Sequence, residues 1–167
     1  MEIIDNFLDK KVFSELQEFM MESKLFPWYC QQNVANANEG KNETYSYYFT
    51  HHFYLNEGFT DEPKSYLYNL IQPILDIIQP EKLIRIKANL YPSAISNYAD
   101  DFHTDYSYKH KGALFAINTN NGGTLFKDGT KIDSVANRIF FFDPTVEHAS
   151  VRCTDQKFRV NINFNYL

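Results

Sequence analysis

Cysteine is scarce. Only Cys30 and Cys153 occur in 167 residues, far apart and outside any CxxC spacing. That excludes a disulfide framework or a zinc-knit scaffold. A chain of this length buries roughly 70% of its unfolded surface on folding, so it needs neither. Two free thiols point to a reducing, cytoplasmic setting. Glycine and proline are also sparse, at six each, against the ~12% these two residues ordinarily supply together. Collagen-like and low-complexity disordered architectures are thereby excluded. No apolar run, Ile139–Phe142 among them, approaches the ~20 residues needed to cross a bilayer. The segment Met1–Asp5 is acidic and lacks the basic start of a secretory signal. Lysine plus arginine is 16 against 21 aspartate plus glutamate, a formal charge of −5. That balance disfavours a protein whose affinity comes from neutralising phosphates, so nucleic acid is not the favoured partner.

Aromatic residues are abundant, at 17%. Tyr and Phe favour pleated, half-buried surfaces, so the composition suits a strand-rich fold. Asp9 is placed to cap a helix whose apolar face is Val12, Phe13, Leu16, Phe19 and Met20, ending near Ser23. The aromatic cluster Phe26–Tyr29 precedes an Asn-rich loop from Gln31 to Thr44. A short strand is expected over Tyr45–Tyr54, and a second helix over Asp61–Ile78, kinked or split at Pro73. From Leu83 the period changes from 3.6 to 2. Ile84, Ile86, Ala88 and Leu90 share one face of a strand, and Arg85, Lys87, Asn89 and Tyr91 share the other. Further strands are expected over 113–118, 123–127, 131–135, 138–142, 146–151 and 158–166. Helices followed by short strands imply one α+β domain over 1–167. Residues 1–80 read as mainly helical support and 81–167 as a jelly-roll core.

The last strand alternates Val160, Ile162 and Phe164 with Arg159, Asn161, Asn163 and Asn165. The polar set is either a wetted face or the lining of a cavity. His103 and Asp105 are two residues apart, so at a strand end both side chains can leave one face and reach one metal. His148, 45 residues on, completes two histidines and a carboxylate, the set that leaves open positions on non-haem Fe(II). Arg159 follows His148 by 11 residues within the last strand, where a guanidinium can grip a carboxylate with two charge-assisted bonds. His51, His52 and His110 have no carboxylate or Cys at ligand spacing and read as structural or solvent-exposed.

These residues resemble the Fe(II)- and 2-oxoglutarate-dependent dioxygenases, in particular the prolyl 4-hydroxylase-like branch. The likeness rests on Leu90-Tyr91-Pro92, His103-Thr104-Asp105, Ile117-Asn118, Gly122-Gly123-Thr124-Leu125, Asn137-Arg138, Asp143, His148 and Arg159–Phe164. The chain also looks like small oxygenases encoded by marine bacteriophages, including Phe26–Tyr29 and Ile86–Tyr91. The resemblance implies a double-stranded β-helix, the jelly roll of the cupins, braced by N-terminal helices. It implies Fe(II) held by His103, Asp105 and His148, with 2-oxoglutarate and O2 as cosubstrates. Arg159 and Tyr91 would hold the distal carboxylate of 2-oxoglutarate, Leu125 would pack on its chain, and Asn89 and Asn163 would line the same site. The implied reaction is hydroxylation of a C–H bond with release of succinate and carbon dioxide.

Three departures stand out: Ala116 where some relatives have Tyr, and Asn163 and Asn165 where Thr and Trp can occur. The resemblance leans toward a peptidyl substrate such as proline, with a small molecule as the other option. Trp28 and Tyr106 are expected at the substrate entrance, in segments 26–42 and 106–111. Trp28 in the core is the competing expectation, since Trp is highly buried on average. An oxygenase acting on nucleic acid and a metal-binding jelly roll without turnover are the alternative functions.

Overall fold

Asp9 accepts a hydrogen bond from the Lys11 amide at 2.9 Å and so starts helix α1, Lys10–Met21. Phe13, Leu16 and Met20 are its buried stripe, the arrangement a 3.6-residue period requires. The computed structural model describes residues 1–32, 47–56 and 65–167. In chain order the strands are β1 (Glu2–Ile4), β2 (Tyr29–Gln31), β3 (Tyr48–Leu55), β4 (Leu83–Pro92), β5 (Lys111–Ala116), β6 (Asn120–Phe126), β7 (Lys131–Ser134), β8 (Arg138–Phe142), β9 (His148–Val151) and β10 (Phe158–Tyr166).

They form a seven-stranded antiparallel sheet, β1-β8-β5-β10-β4-β3-β2, and a smaller sheet, β7-β6-β9. Bridges Ala99–Val151 and His103–His148 lay segment 99–103 along β9. This is the double-stranded β-helix. Alternation divides the large sheet. Ile86, Ala88, Phe115, Ile139, Val160, Ile162 and Phe164 point outward into one cluster with Phe13, Leu16 and Met20, so the apolar face packs under the helix. Arg85, Lys87, Asn89, Tyr91, Arg159, Asn161, Asn163 and Asn165 point the other way, toward the small sheet. A smaller cluster of Leu114, Phe126, Ile132, Phe140 and Phe142 closes one flank between the sheets.

Several expected elements shift. The second helical stretch is a 3-10 turn, Tyr68–Ile71, followed by α2, Gln72–Ile78. Pro73 lies in the first turn of α2, where its missing N–H costs nothing, so the stretch is split there into a 3-10 turn and α2 and not kinked. The expected positions 61–64 and the Asn-rich stretch 33–44 lie outside the described residues. Strand β5 stops at Ala116, because the Asn118 side chain takes over the pairing: it accepts from the Val160 amide at 2.8 Å and donates to the Phe158 carbonyl at 2.9 Å. Residues 1–80 contribute β1, β2 and β3 to the large sheet as well as helices. β1 and β2 are three residues each, too short for a period of two to register. Asn137, at φ 62°, holds the N-terminal segment against the sheet by bonding both the amide and the carbonyl of Leu8 at 2.9 Å.

Gly122 and Gly123 are required by close approach. A Cβ on Gly122 would stand 2.6 Å from the Val151 carbonyl oxygen, and one on Gly123 would run into that of Ile132. The two glycines let β6 fit between β7 and β9, beside the Arg159 side chain.

Candidate metal centre

His103 and His148 face each other across an antiparallel bridge, with the His103 amide donating to the His148 carbonyl at 3.0 Å and the reverse bond at 2.9 Å. Directly opposed residues share a face, and the two imidazoles stand 4.9 Å apart, centroid to centroid. Each Nδ1 lies against a backbone carbonyl, Asp101 at 3.1 Å and Val146 at 2.9 Å. A carbonyl only accepts, so each Nδ1 carries the proton and each Nε2 keeps its lone pair for a ligand. Burial lowers the His103 pKa below the ordinary 6.5, which favours this neutral form.

Asp105 approaches from the large-sheet side. Its Oδ1 accepts from Arg85 Nη2 at 2.8 Å, and its Oδ2 accepts from the amides of Asn165 at 2.8 Å and Asn163 at 3.1 Å. Burial alone would raise its pKa, but the Arg85 guanidinium and the two amides outweigh it and hold the carboxyl well below the usual range. Oδ2 therefore has both lone pairs engaged, while Oδ1 retains one. Asn165 is itself fixed: it accepts from Arg85 Nε at 3.1 Å and donates to His110 Nε2 at 3.2 Å. Ligand atoms of His103, Asp105 and His148 all lie within 4.8 Å of one another. Two neutral imidazoles and one held carboxylate fit a divalent first-row ion with coordination positions to spare.

Arg159 lies at the opposite end of the same polar face and is 2% exposed. It donates to the hydroxyls of Ser150 and, at 3.1 Å, Thr124, and its guanidinium carbon is 5.5 Å from the centre of the Tyr91 ring. Its Nε has no partner, and no carboxylate pairs with it among the described residues. Asp100, the nearby buried acid, is paired with Arg152 at 3.3 Å. Between Arg159 and Asp105 runs a ladder of amides. Asn89 donates to Asn161 at 2.9 Å, while Asn89 Oδ1, Asn161 Nδ2 and Asn163 Oδ1 are buried without partners. Burial pushes the Tyr91 phenol up, so it remains protonated as a donor.

The structure thus gathers His103, Asp105, His148, Arg159, Tyr91, Asn89 and Asn163 between the sheets. Tyr106 joins their edge, with Arg85 5.1 Å from its ring centre. Two expected residues are elsewhere. Thr124 faces Arg159 and Phe126 faces His148, so alternation turns the intervening Leu125 to the outer surface of β6, opposite Lys131 and Ala149. Trp28 packs on the helix side: its indole donates to the Met20 carbonyl at 3.3 Å and its ring lies 4.7 Å from that of Phe26. Arg85, Thr124, Ser150 and His110 complete the site without having been singled out. Arg85 shares the alternating face with Tyr91 and Ser150 sits two residues past His148, so the period-two pattern held a signal for both.

No family model and no curated protein matches the sequence. Solved structures do. A Pseudomonas putida prolyl-4-hydroxylase matches over 99% of this chain and 91% of its own, with a TM-score of 0.57 and 17% identity. A viral collagen prolyl hydroxylase from Paramecium bursaria Chlorella virus-1, solved with 2-oxoglutarate, matches over 98% and 93%, with a TM-score of 0.57 and 13% identity. A Trichoplax adhaerens prolyl hydroxylase, in complex with a hypoxia inducible factor peptide fragment, matches over 99% and 82%, with a TM-score of 0.63 and 14% identity. At these identities the likeness is one of fold. The chain has the fold of the 2-oxoglutarate- and Fe(II)-dependent oxygenases. Among the described residues no helix is long and apolar enough to cross a membrane.

Proposed function

We propose that the protein is an Fe(II)- and 2-oxoglutarate-dependent dioxygenase that hydroxylates a C–H bond, with a peptidyl residue such as proline as the leading substrate class. The observation that carries this reading is Arg159, a buried guanidinium with no carboxylate partner among the described residues, on the face that also holds the His103–Asp105–His148 group. Leaving a buried charge uncompensated is costly, so the site is suited to an anionic ligand that completes it. Of the orphaned amide atoms, Asn161 Nδ2 is a donor on the path from Arg159 to Asp105 and can bond such a ligand. The prolyl hydroxylases of the same fold support the peptidyl lean.

His103, Asp105 and His148 would hold Fe(II), which with 2-oxoglutarate and O2 supplies the oxidising power for C–H hydroxylation. Arg159, helped by the Tyr91 phenol, would grip the distal carboxylate of 2-oxoglutarate and fix its orientation. Ser150 and Thr124 hold the guanidinium in place. Arg85, Asn163 and Asn165 keep Asp105 ionised and pointed at the metal position, and the carbonyls of Asp101 and Val146 set the imidazole tautomers. Phe126 and Phe142, 6.0 and 5.1 Å from His148, exclude water from one side. Free Cys30 and Cys153 suit the reducing cytoplasm.

The test is succinate formation from 2-oxoglutarate with Fe(II) in air, with proline-containing peptides screened for a mass gain of one oxygen. Absence of both 2-oxoglutarate binding and succinate formation in iron-loaded protein overturns the reading.

A further inference from the structure

Lys87 lies on the inner face of β4, between Arg85 and Asn89 and paired across strands with Asn163 and His52. Alternate residues on a strand are spaced ~7 Å apart, which places Lys87 at the Asp105 end of the face and ~13 Å along β4 from Tyr91. Among the described residues its ammonium makes no hydrogen bond and no ion pair. Its one contact of note is the Tyr48 ring, 5.7 Å away. Burial and the adjacent Arg85 guanidinium pull it down to about 8, against a smaller opposing pull from Asp105, so it is a cation near neutral pH without a counter-charge. Across the strand, Asn163 offers a buried Oδ1 with no donor.

The charges of the cavity make this cation more telling. Arg85 and Asp105 neutralise each other, as do Arg152 and Asp100. A divalent ion and a doubly charged 2-oxo diacid cancel as well. Arg159 and Lys87 then leave the loaded site with an excess of positive charge. Arg159 is the cation at the cosubstrate end, so the excess at the Asp105 end falls on Lys87.

We propose that Lys87 anchors a carboxylate of the substrate, with Asn163 Oδ1 accepting an N–H from the same molecule. This rests on the dioxygenase reading and narrows its substrate to one bearing an acidic group beside the oxidised carbon. The carboxylate can come from an acidic side chain in a peptide or from the free carboxyl group of a small amino acid. A neutral peptidyl residue far from any acid does not meet the anchor.

The experiment is calorimetric titration of the Fe(II) protein with 2-oxoglutarate in the absence of oxygen. Acid–amide probe pairs are compared: short peptides with a central Asp or Glu against Asn or Gln, and free L-proline, L-aspartate and L-glutamate against their carboxamides. In one of these two arms the acids should bind about tenfold or more tighter than their amides, the effect of one hydrogen bond to a charged group. The arm that responds identifies the source. Lys87→Met should abolish the preference, Lys87→Arg should keep it, and 2-oxoglutarate affinity should stay the same in both. Equal binding of acids and amides by the wild-type protein overturns the proposal without recourse to any variant. So does a preference that survives Lys87→Met, or a fall in 2-oxoglutarate affinity in that variant, which would assign the lysine to the cosubstrate. Because the readout is binding, a protein that prefers acids yet forms no succinate keeps the anchor and loses the dioxygenase reading.

Discussion

His103 and His148 form a hydrogen-bonded pair, with reciprocal bonds of 3.0 and 2.9 Å, although neither the small sheet's three named strands nor the large sheet includes His103. One backbone ladder thus places two candidate ligands side by side, and Asp105 needs only to follow two residues later. Replacing either imidazole removes one of three donors without touching that ladder. His103→Ala and His148→Ala should therefore fold but retain no Fe(II) after dialysis. Arg85→Gln, which frees the carboxylate, should cost about 10–100-fold in metal affinity. Metal content and competition titration measure both.

Arg159→Ala should keep the metal and lose 2-oxoglutarate. Truncating one side of a buried charge pair costs about 2–5 kcal/mol, and calorimetry on the metal-loaded variant reads it. Lysine at this position restores charge but not the fork held by Ser150 and Thr124, so its affinity should fall between the two.

Acid should release metal through His103 and not through Asp105. The Asp105 carboxyl is held below its ordinary 3.8; its contribution to stability is complete above that value and is lost only as pH falls below it. His103 is also depressed, below 6.5; the unfolded chain takes up that proton first, so stability declines as pH falls beneath 6.5, and metal retention follows as the folded His103 itself takes up a proton. A pH series of metal retention should show loss beginning beneath 6.5, with Asp105 still ionised. A midpoint at the carboxylate range would contradict this.

Trp28→Ala should trim packing against the core, lowering stability by about 1.5–3 kcal/mol while the folded fraction keeps its activity. A melt beside the succinate assay separates this from an effect on substrate entry.

Gly122→Ala should cost about 1–3 kcal/mol through overpacking, since its Cβ would press on the Val151 carbonyl and stand 3.1 Å from the Arg159 side chain. A lowered melting temperature together with weakened 2-oxoglutarate binding is the expected result.

Local periodicity reveals what neighbours along the chain decide. The cap at Asp9, the stripe of α1, and the alternation in β4 and β10 are all written within ten or so residues, so they are legible before any fold is known. The same alternation separates the face that meets α1 from the polar face turned toward the small sheet, and the His103–Asp105 spacing marks the candidate metal centre. What depends on distant contacts is not legible in this way. Asp105 is held by Arg85, 20 residues before it, and by Asn165, 60 residues after it. Leu125 and Thr124 are adjacent in sequence, and only the pairing of β6 with β7 and β9 determines which one turns inward. Trp28 sits beside an Asn-rich stretch that suggests an entrance, but its bond to the Met20 carbonyl and its contact with the Phe26 ring lay it, half-buried, against the core. A period of two says that a strand has two faces; which face closes on which partner is set by sheet register, and register is a property of the whole chain.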